Sequence, residues 1–566
     1  MQGLGKTLQS TAALAADIAE RAASGAPALP SLVVCPPTLV QHWAHETGRY
    51  LPPSHALRCV AYAGAPAARA ALRPQLRGAH LVVASYDTVR ADADALAALD
   101  YAYVILDEGH AIRNPRAATT RAVKRVGQRA ARRLLLSGTP IQNDVAELWS
   151  LFDFLMPGFL GDEAQFRRRY GAGGSRQRGE VDALALGALH KQVMPFVLRR
   201  MKEDVLTELP PKVLTDVYVD PSPLQQHLYA AFEASAGRQE AEAALRGGEG
   251  NEPAAKQGAQ HAFVALQYMR KLCAHPALAL AGADAERKHA LATRLGGPAA
   301  AADPDAWLRS ACHAPKLAAL AQILRDCGIG GSGGDDDDSG AGASGARAPA
   351  AHRVLVFAQL KGLLDLVEQQ LFARDMKGGV SYLRLDGSVP SAERFAVARR
   401  FDADPSIEVL LLTTHVGGLG LNLTAADVVV FLEHDWNPQR DLQAMDRAHR
   451  LGQTRSVAVY RLLTRHTLEA RIMSLQRFKL DLANAVVTAD NASMASMDTG
   501  TMLDLFTADK EAPATAAAAA KAAEAAADAG ARGGAAAVLA GLEALWDEAQ
   551  YAEEFAVDAF VAKMGI

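Results

Sequence analysis

The sequence predicts an α/β protein built on two doubly wound, mostly parallel sheets with helical insertions. Three observations carry that expectation. Short apolar runs alternate with stretches of helical periodicity in both halves of the chain. A glycine-containing loop opens the first helical stretch, and acidic or small hydroxyl residues follow the apolar runs, where the carboxyl edge of a parallel sheet collects ligands. At about 150 residues per domain, 566 residues allow several structural units and exclude a single small binding module.

In chain order, Leu8, Thr11, Ala12, Ala15 and Ile18 have helical spacing, and after a Gly/Pro break Leu32 to Val34 reads as a buried strand. The runs His80 to Ala84, Tyr103 to Leu106 and Arg133 to Leu136 repeat the pattern, giving four expected strands over residues 1–144. From 145 to 215 the periodicity is helical, with Leu148, Leu151, Phe152 and Leu155 on one face, as expected of an insertion that returns to the first lobe. A second helical region over 216–327 leads to a linker at 328–350, where Gly, Ser and the run Asp335 to Asp338 offer too little apolar surface to order. Strands resume over 351–485 at Val354 to Phe357, Tyr382 to Leu385, Val409 to Leu412 and Val428 to Phe431. Residues 486–540 read as an extension and Ala-rich linker, and 541–566, with Leu542, Leu545, Trp546, Phe555 and Phe560, as an acidic amphipathic helix.

The balance of 59 Lys+Arg against 63 Asp+Glu, a net charge of −4, does not announce a nucleic-acid binder. Local clusters exist at Lys124, Arg125, Arg129, Arg132 and Arg133, and at Arg167, Arg168 and Arg169; solvated helix faces are the ordinary reading of both. Five dispersed cysteines with no CxxC pair argue against a disulfide framework or a zinc site and for a reducing compartment. No secretory leader or membrane-length apolar run is present.

Gly3-Leu4-Gly5-Lys6-Thr7 can cradle phosphate. Its glycines admit backbone N–H groups, Lys6 would meet the β- and γ-phosphates, and the Thr7 hydroxyl would ligate Mg²⁺. Asp107 and Glu108 end an apolar strand, so Asp107 can hold Mg²⁺ through water while Glu108 orients or deprotonates an attacking water. Ser137-Gly138-Thr139-Pro140 ends another strand at the same edge. Arg447 and Arg450, read at i,i+3 on one helix face, can act as arginine fingers on a γ-phosphate presented by another domain.

With Cys35-Pro36-Pro37-Thr38-Leu39, Ser85-Tyr86-Asp87, Asp107-Glu108-Gly109-His110, Ser137 to Asn143, Leu385-Asp386-Gly387-Ser388, Gly417 to Leu423 and Gln443 to Gln453, these motifs stand in the order of the SWI/SNF-type, helicase-related ATPases. The resemblance covers residues 1 to about 480 and implies two RecA-like lobes. It implies ATP and Mg²⁺ as ligands, with Gln443 beside Arg447 and Arg450 in the site completed by lobe closure. Thr38, Ser85, Tyr86 and Gly387 match positions that touch the phosphodiester backbone, implying sequence-tolerant, salt-sensitive binding of double-stranded DNA without strand separation.

Leu148 to Gly161, His415 to Gly418, Glu433 to Pro438, Met502 to Phe506 and Leu545-Trp546-Asp547 resemble the branch of that family associated with the TATA-box-binding protein. This implies a nuclear motor acting on that protein at promoters. A nucleosome-directed remodeller is the alternative within the fold, and a non-hydrolysing DNA-binding fragment the alternative outside it. The family places a strand, a glutamine motif and an acidic loop residue before Gly3, whereas this chain opens at Met1-Gln2, so a fragment with an incomplete nucleotide pocket is expected. The helical-repeat array that would grip the TATA-box-binding protein is likewise expected elsewhere.

Overall fold

Continuous apolar runs become fully buried parallel strands in the computed structural model, which describes residues 4–51, 56–138, 145–170, 189, 191–198, 200, 202–235, 264–330, 352–377, 379–417, 421–474, 476 and 477. The first sheet has the order β2-β3-β1-β4-β5, from β1 (Ser31–Cys35), β2 (Cys59–Tyr62), β3 (Leu81–Ser85), β4 (Tyr101–Asp107) and β5 (Ala130–Leu136). All its pairs are parallel. Leu32, Val34, Val82, Val104 and Leu106 pack on one face and Val33, Val83, Ile105 and Trp43 on the other, so helices cover both sides.

The second sheet runs β6-β11-β10-β7-β9-β8, from β6 (Lys212–Val219), β7 (Val354–Ala358), β8 (Tyr382–Leu385), β9 (Val409–Thr413), β10 (Val428–Phe431) and β11 (Val457–Thr464). It too is parallel throughout. Two doubly wound sheets with helices between their strands are the RecA-like pair that the motifs implied.

Three strands, β2, β6 and β11, escaped the sequence reading. β2 is short and mostly half-buried, so its residues lack a continuous apolar signature. β6 corrects the expected return of residues 145–215 to the first lobe: it pairs with β11, Val457 opposite Lys212 through Thr464 opposite Val219. An Arg461–Asp216 ion pair at 2.6 Å fixes that register. β5, expected as a buried strand, is the sheet's edge, and Leu134 there is 37% exposed.

The Lys124 to Arg133 cluster is not a free positive patch. Lys124 pairs with Asp153 at 2.7 Å, Arg125 with Asp94 at 2.6 Å, Arg129 with Asp100 at 2.9 Å and Arg132 with Asp17. Arg133 donates to the carbonyls of Gly127 and Phe154. The expected linker from 331 onward, the extension and the terminal helix lie outside the described residues.

Candidate active site

Helix α1 (Lys6–Ser24) begins at Gly5, whose φ of 72° is the left-handed conformation a side chain would strain. No side chain caps that end and its first turn holds no acid, leaving N–H groups and the positive end of the helix dipole available to an anion. Lys6 Nζ is buried with no hydrogen-bond partner among the described residues. An ammonium in that condition needs an anionic partner, so the loop fits a triphosphate. Thr7 follows, half-buried; Gly3 lies outside the described residues.

β4 delivers the acidic pair. Asp107 is 7% exposed, and its carboxylate accepts from the Trp43 indole N–H at 2.9 Å and the Glu108 backbone N–H at 3.0 Å. Burial, then the Glu108 charge, pushes its pKa up, against Lys6 and Trp43. Glu108 sits in a left-handed conformation (φ 51°, ψ 54°) that costs on the order of 1–2 kcal/mol for a residue with a side chain. Its turn is tight because a Cβ on Gly109 would lie 2.5 Å from Leu135 Cγ. Burial alone would raise the Glu108 pKa, but the neighbouring His110 ring and the charges of Lys6 and Arg447 hold it low, leaving the carboxylate ionised. His110 Nδ1 stands 3.5 Å from Glu108 Oε2.

The arginines come from the other lobe, and here the helix-face reading needs correction. The helix Pro438–Met445 ends before them, and Arg447 and Arg450 occupy the following turn. There the Ala448 N–H bonds to Met445, and the freed Arg447 carbonyl accepts from Leu423 N–H at 3.1 Å. Arg447 is 5% exposed; burial lowers its pKa to about 10, and Glu108, then Asp107, act on it from across the cleft. It therefore stays cationic at neutral pH. Arg450 influences His42 and Tyr50 on helix α2 (Val40–Tyr50). Gln443 lies half-buried on Pro438–Met445.

Three of the four positions matched to DNA contacts are buried. Thr38 is 1% exposed in the turn Pro37–Leu39, which packs against the helix Ser391–Ala403 of the second lobe. Ser85 Oγ accepts from Thr88 N–H at 3.1 Å. Tyr86 OH donates to the Asp107 carbonyl at 2.8 Å, the partner a buried phenol requires. Gly387 is exposed, on a loop where Asp386 accepts from Ser388 N–H at 2.7 Å.

Sequence reasoning missed Trp43, which no local pattern marks, since its partner is a strand end far along the chain. It also missed Phe395, whose ring lies 5.8 Å from that of His42 and 5.7 Å from that of His45.

Residues 2–278 match the SNF2-related domain and residues 347–452 the helicase conserved C-terminal domain. The chain is 48% identical to the human TATA-binding protein-associated factor 172, aligning over 99% of this chain and 30% of that protein. It is 48% identical to the Schizosaccharomyces pombe TATA-binding protein-associated factor mot1, over 99% of this chain and 29% of that protein. The chain thus spans about a third of the length of these relatives. The Sulfolobus solfataricus SWI2/SNF2 ATPase core in complex with dsDNA is 25% identical, covering 86% of this chain and 87% of that one, with a TM-score of 0.35.

Proposed function

Because the chain belongs to the SNF2-related ATPases, in the branch of the TATA-binding protein-associated factors, we propose that it is a DNA-stimulated, Mg²⁺-dependent ATPase motor. It tracks along double-stranded DNA in the nucleus and displaces the TATA-box-binding protein. The observation that carries this reading is the meeting of Lys6, Asp107 and Glu108 from one lobe with Arg447 from the other.

Lys6 and the uncapped start of α1 hold the phosphates. Thr7 and Asp107 would hold Mg²⁺, which when bound neutralises phosphate charge; a single carboxylate beside substrate oxygens suits that ion. Glu108, ionised and fixed by its turn, orients the attacking water and accepts its proton. Arg447, buried and charged, offsets charge that builds on the transferring phosphoryl group. Because that arginine belongs to the second lobe, hydrolysis is tied to closure and each cycle can shift the lobes relative to the duplex.

Phosphate release measured at low salt with and without duplex DNA tests the proposal. Duplex should raise turnover, and Lys6→Ala or Glu108→Gln should abolish the rise. Turnover that ignores duplex, or survives both substitutions, contradicts the motor and favours a non-hydrolysing DNA-binding piece. Preference for histones over the TATA-box-binding protein would favour a nucleosome-directed remodeller.

A further inference from the structure

The turn carrying Arg447 is gripped from outside its own lobe's helices. Lys202, in the short helix Lys202–Val205 that precedes β6, places Nζ 2.8 Å from Asp446 Oδ1 and donates to the His449 carbonyl at 2.9 Å. One ammonium thus holds the turn on both sides of Arg447. Lys212 Nζ lies 3.5 Å from the same Asp446 oxygen, and His449 Nε2–H donates to the Pro210 carbonyl at 2.8 Å. The Lys202 and Asp446 side chains are 14% and 17% exposed, which shields the pair from water and salt.

The grip lies on the segment that joins the lobes. Val193 and Val197, just upstream, pack with Phe152, Phe159 and Phe166 of the first lobe's insertion. A few positions later the chain is bonded to the arginine turn, and β6 then enters the second sheet. A pull on this connector is therefore delivered to the backbone that aims Arg447.

We infer that Lys202 is a positioning residue that sets the aim of Arg447, so that the connector between the lobes controls assembly of the active site. This rests on the proposed role of Arg447. A guanidinium that must meet a phosphoryl group loses much of its effect when misplaced by about 1 Å, roughly a hundredfold in rate. A buried arginine whose turn has relaxed its helical bonding needs such external fixing.

The test compares Lys202→Met, Lys202→Arg, Asp446→Asn, Arg447→Ala and the Lys202→Met/Arg447→Ala double variant. DNA-stimulated phosphate release, affinity for a fluorescent ATP analogue and melting temperature are read for each. Lys202→Met and Asp446→Asn should each lower kcat about tenfold or more, leave analogue affinity within about twofold, and slow Arg447→Ala no further; Lys202→Arg should recover part of the rate. Full kcat in both Lys202→Met and Asp446→Asn, or an additive loss in the double variant, overturns the inference. If Arg447→Ala itself turns over normally, the functional reading fails; if it is slow while Lys202→Met is not, the positioning role alone fails. Should Lys202→Met melt early, the isosteric Asp446→Asn decides the matter.

Discussion

The two sides of the cleft are prepared differently. On the nucleotide side, Lys6 is buried with no hydrogen-bond partner among the described residues, Glu108 is held in a costly backbone conformation, and Arg447 is charged although buried. On the side matched to DNA, Thr38, Ser85 and Tyr86 are buried, and Ser85 and Tyr86 bond to neighbouring backbone. The first arrangement gathers buried cationic groups, Lys6 Nζ among them without a hydrogen-bond partner among the described residues, that suit a triphosphate. The second is stable as it stands, with Phe395 of the second lobe against the helix that follows Thr38. On the proposed function, the difference means that catalytic groups are aimed in advance, while duplex engagement must displace contacts the protein makes with itself.

Glu108→Gln breaks the comparison most sharply. It keeps the turn and removes the base, so phosphate release should fall by roughly 10²–10⁴-fold while binding of a fluorescent ATP analogue persists. A loss of binding equal to the loss of rate would mean the carboxylate serves the pocket's structure.

Trp43→Phe sharpens the nucleotide side. The ring still fills its site among Val33, Val83 and Ile105, but Asp107 loses its indole donor. The Mg²⁺ concentration needed for half-maximal analogue binding should rise about tenfold, the usual cost of losing a group that orients a metal ligand. An unchanged Mg²⁺ titration would show that the hydrogen bond only packs α2 against the sheet.

Phe395→Ala probes the other side. Losing the ring contacts with His42 and His45, worth about 1 kcal/mol, should tighten binding of a labelled duplex several-fold in fluorescence anisotropy at fixed salt. Weaker binding would place Phe395 among the duplex contacts.

The smallest effect is on pH dependence. Burial lowers the His42 pKa to about 4 from 6.5, with Arg450, His45 and Arg447 lowering it further and Glu46 opposing them. The part of that shift imposed by Phe395, Arg450 and Arg447 of the second lobe is lost when the lobes separate, so a separated His42 binds a proton more readily than the packed one. Closure is therefore favoured above about pH 6.5 and weakens as pH falls toward 4. Energy transfer between dyes on the two lobes should drop in that window, and the drop should vanish in His42→Phe.

Most of the fold was legible because buried parallel strands are continuous apolar runs, such as Leu32 to Val34 and Val428 to Phe431. β6 was not, because an edge strand with half its residues exposed loses that signature and its partner β11 lies far along the chain. In the site, Lys6, Asp107 and Glu108 were legible because their spacing within loop and strand end is itself the chemistry. The arginine pair was legible as residues but not as geometry, since Leu423 and Lys202, which shape their turn, are tertiary neighbours. Burial of Ser85 and Tyr86 follows from partners at Thr88 and Asp107, which no periodicity reports.

The most direct test of a site shared between lobes is single-turnover phosphate release by Arg447→Ala on saturating duplex. The rate should fall at least a hundredfold with ATP-analogue affinity almost unchanged. A wild-type rate would mean that the second lobe's turn takes no part in the chemistry and that the first lobe hydrolyses alone.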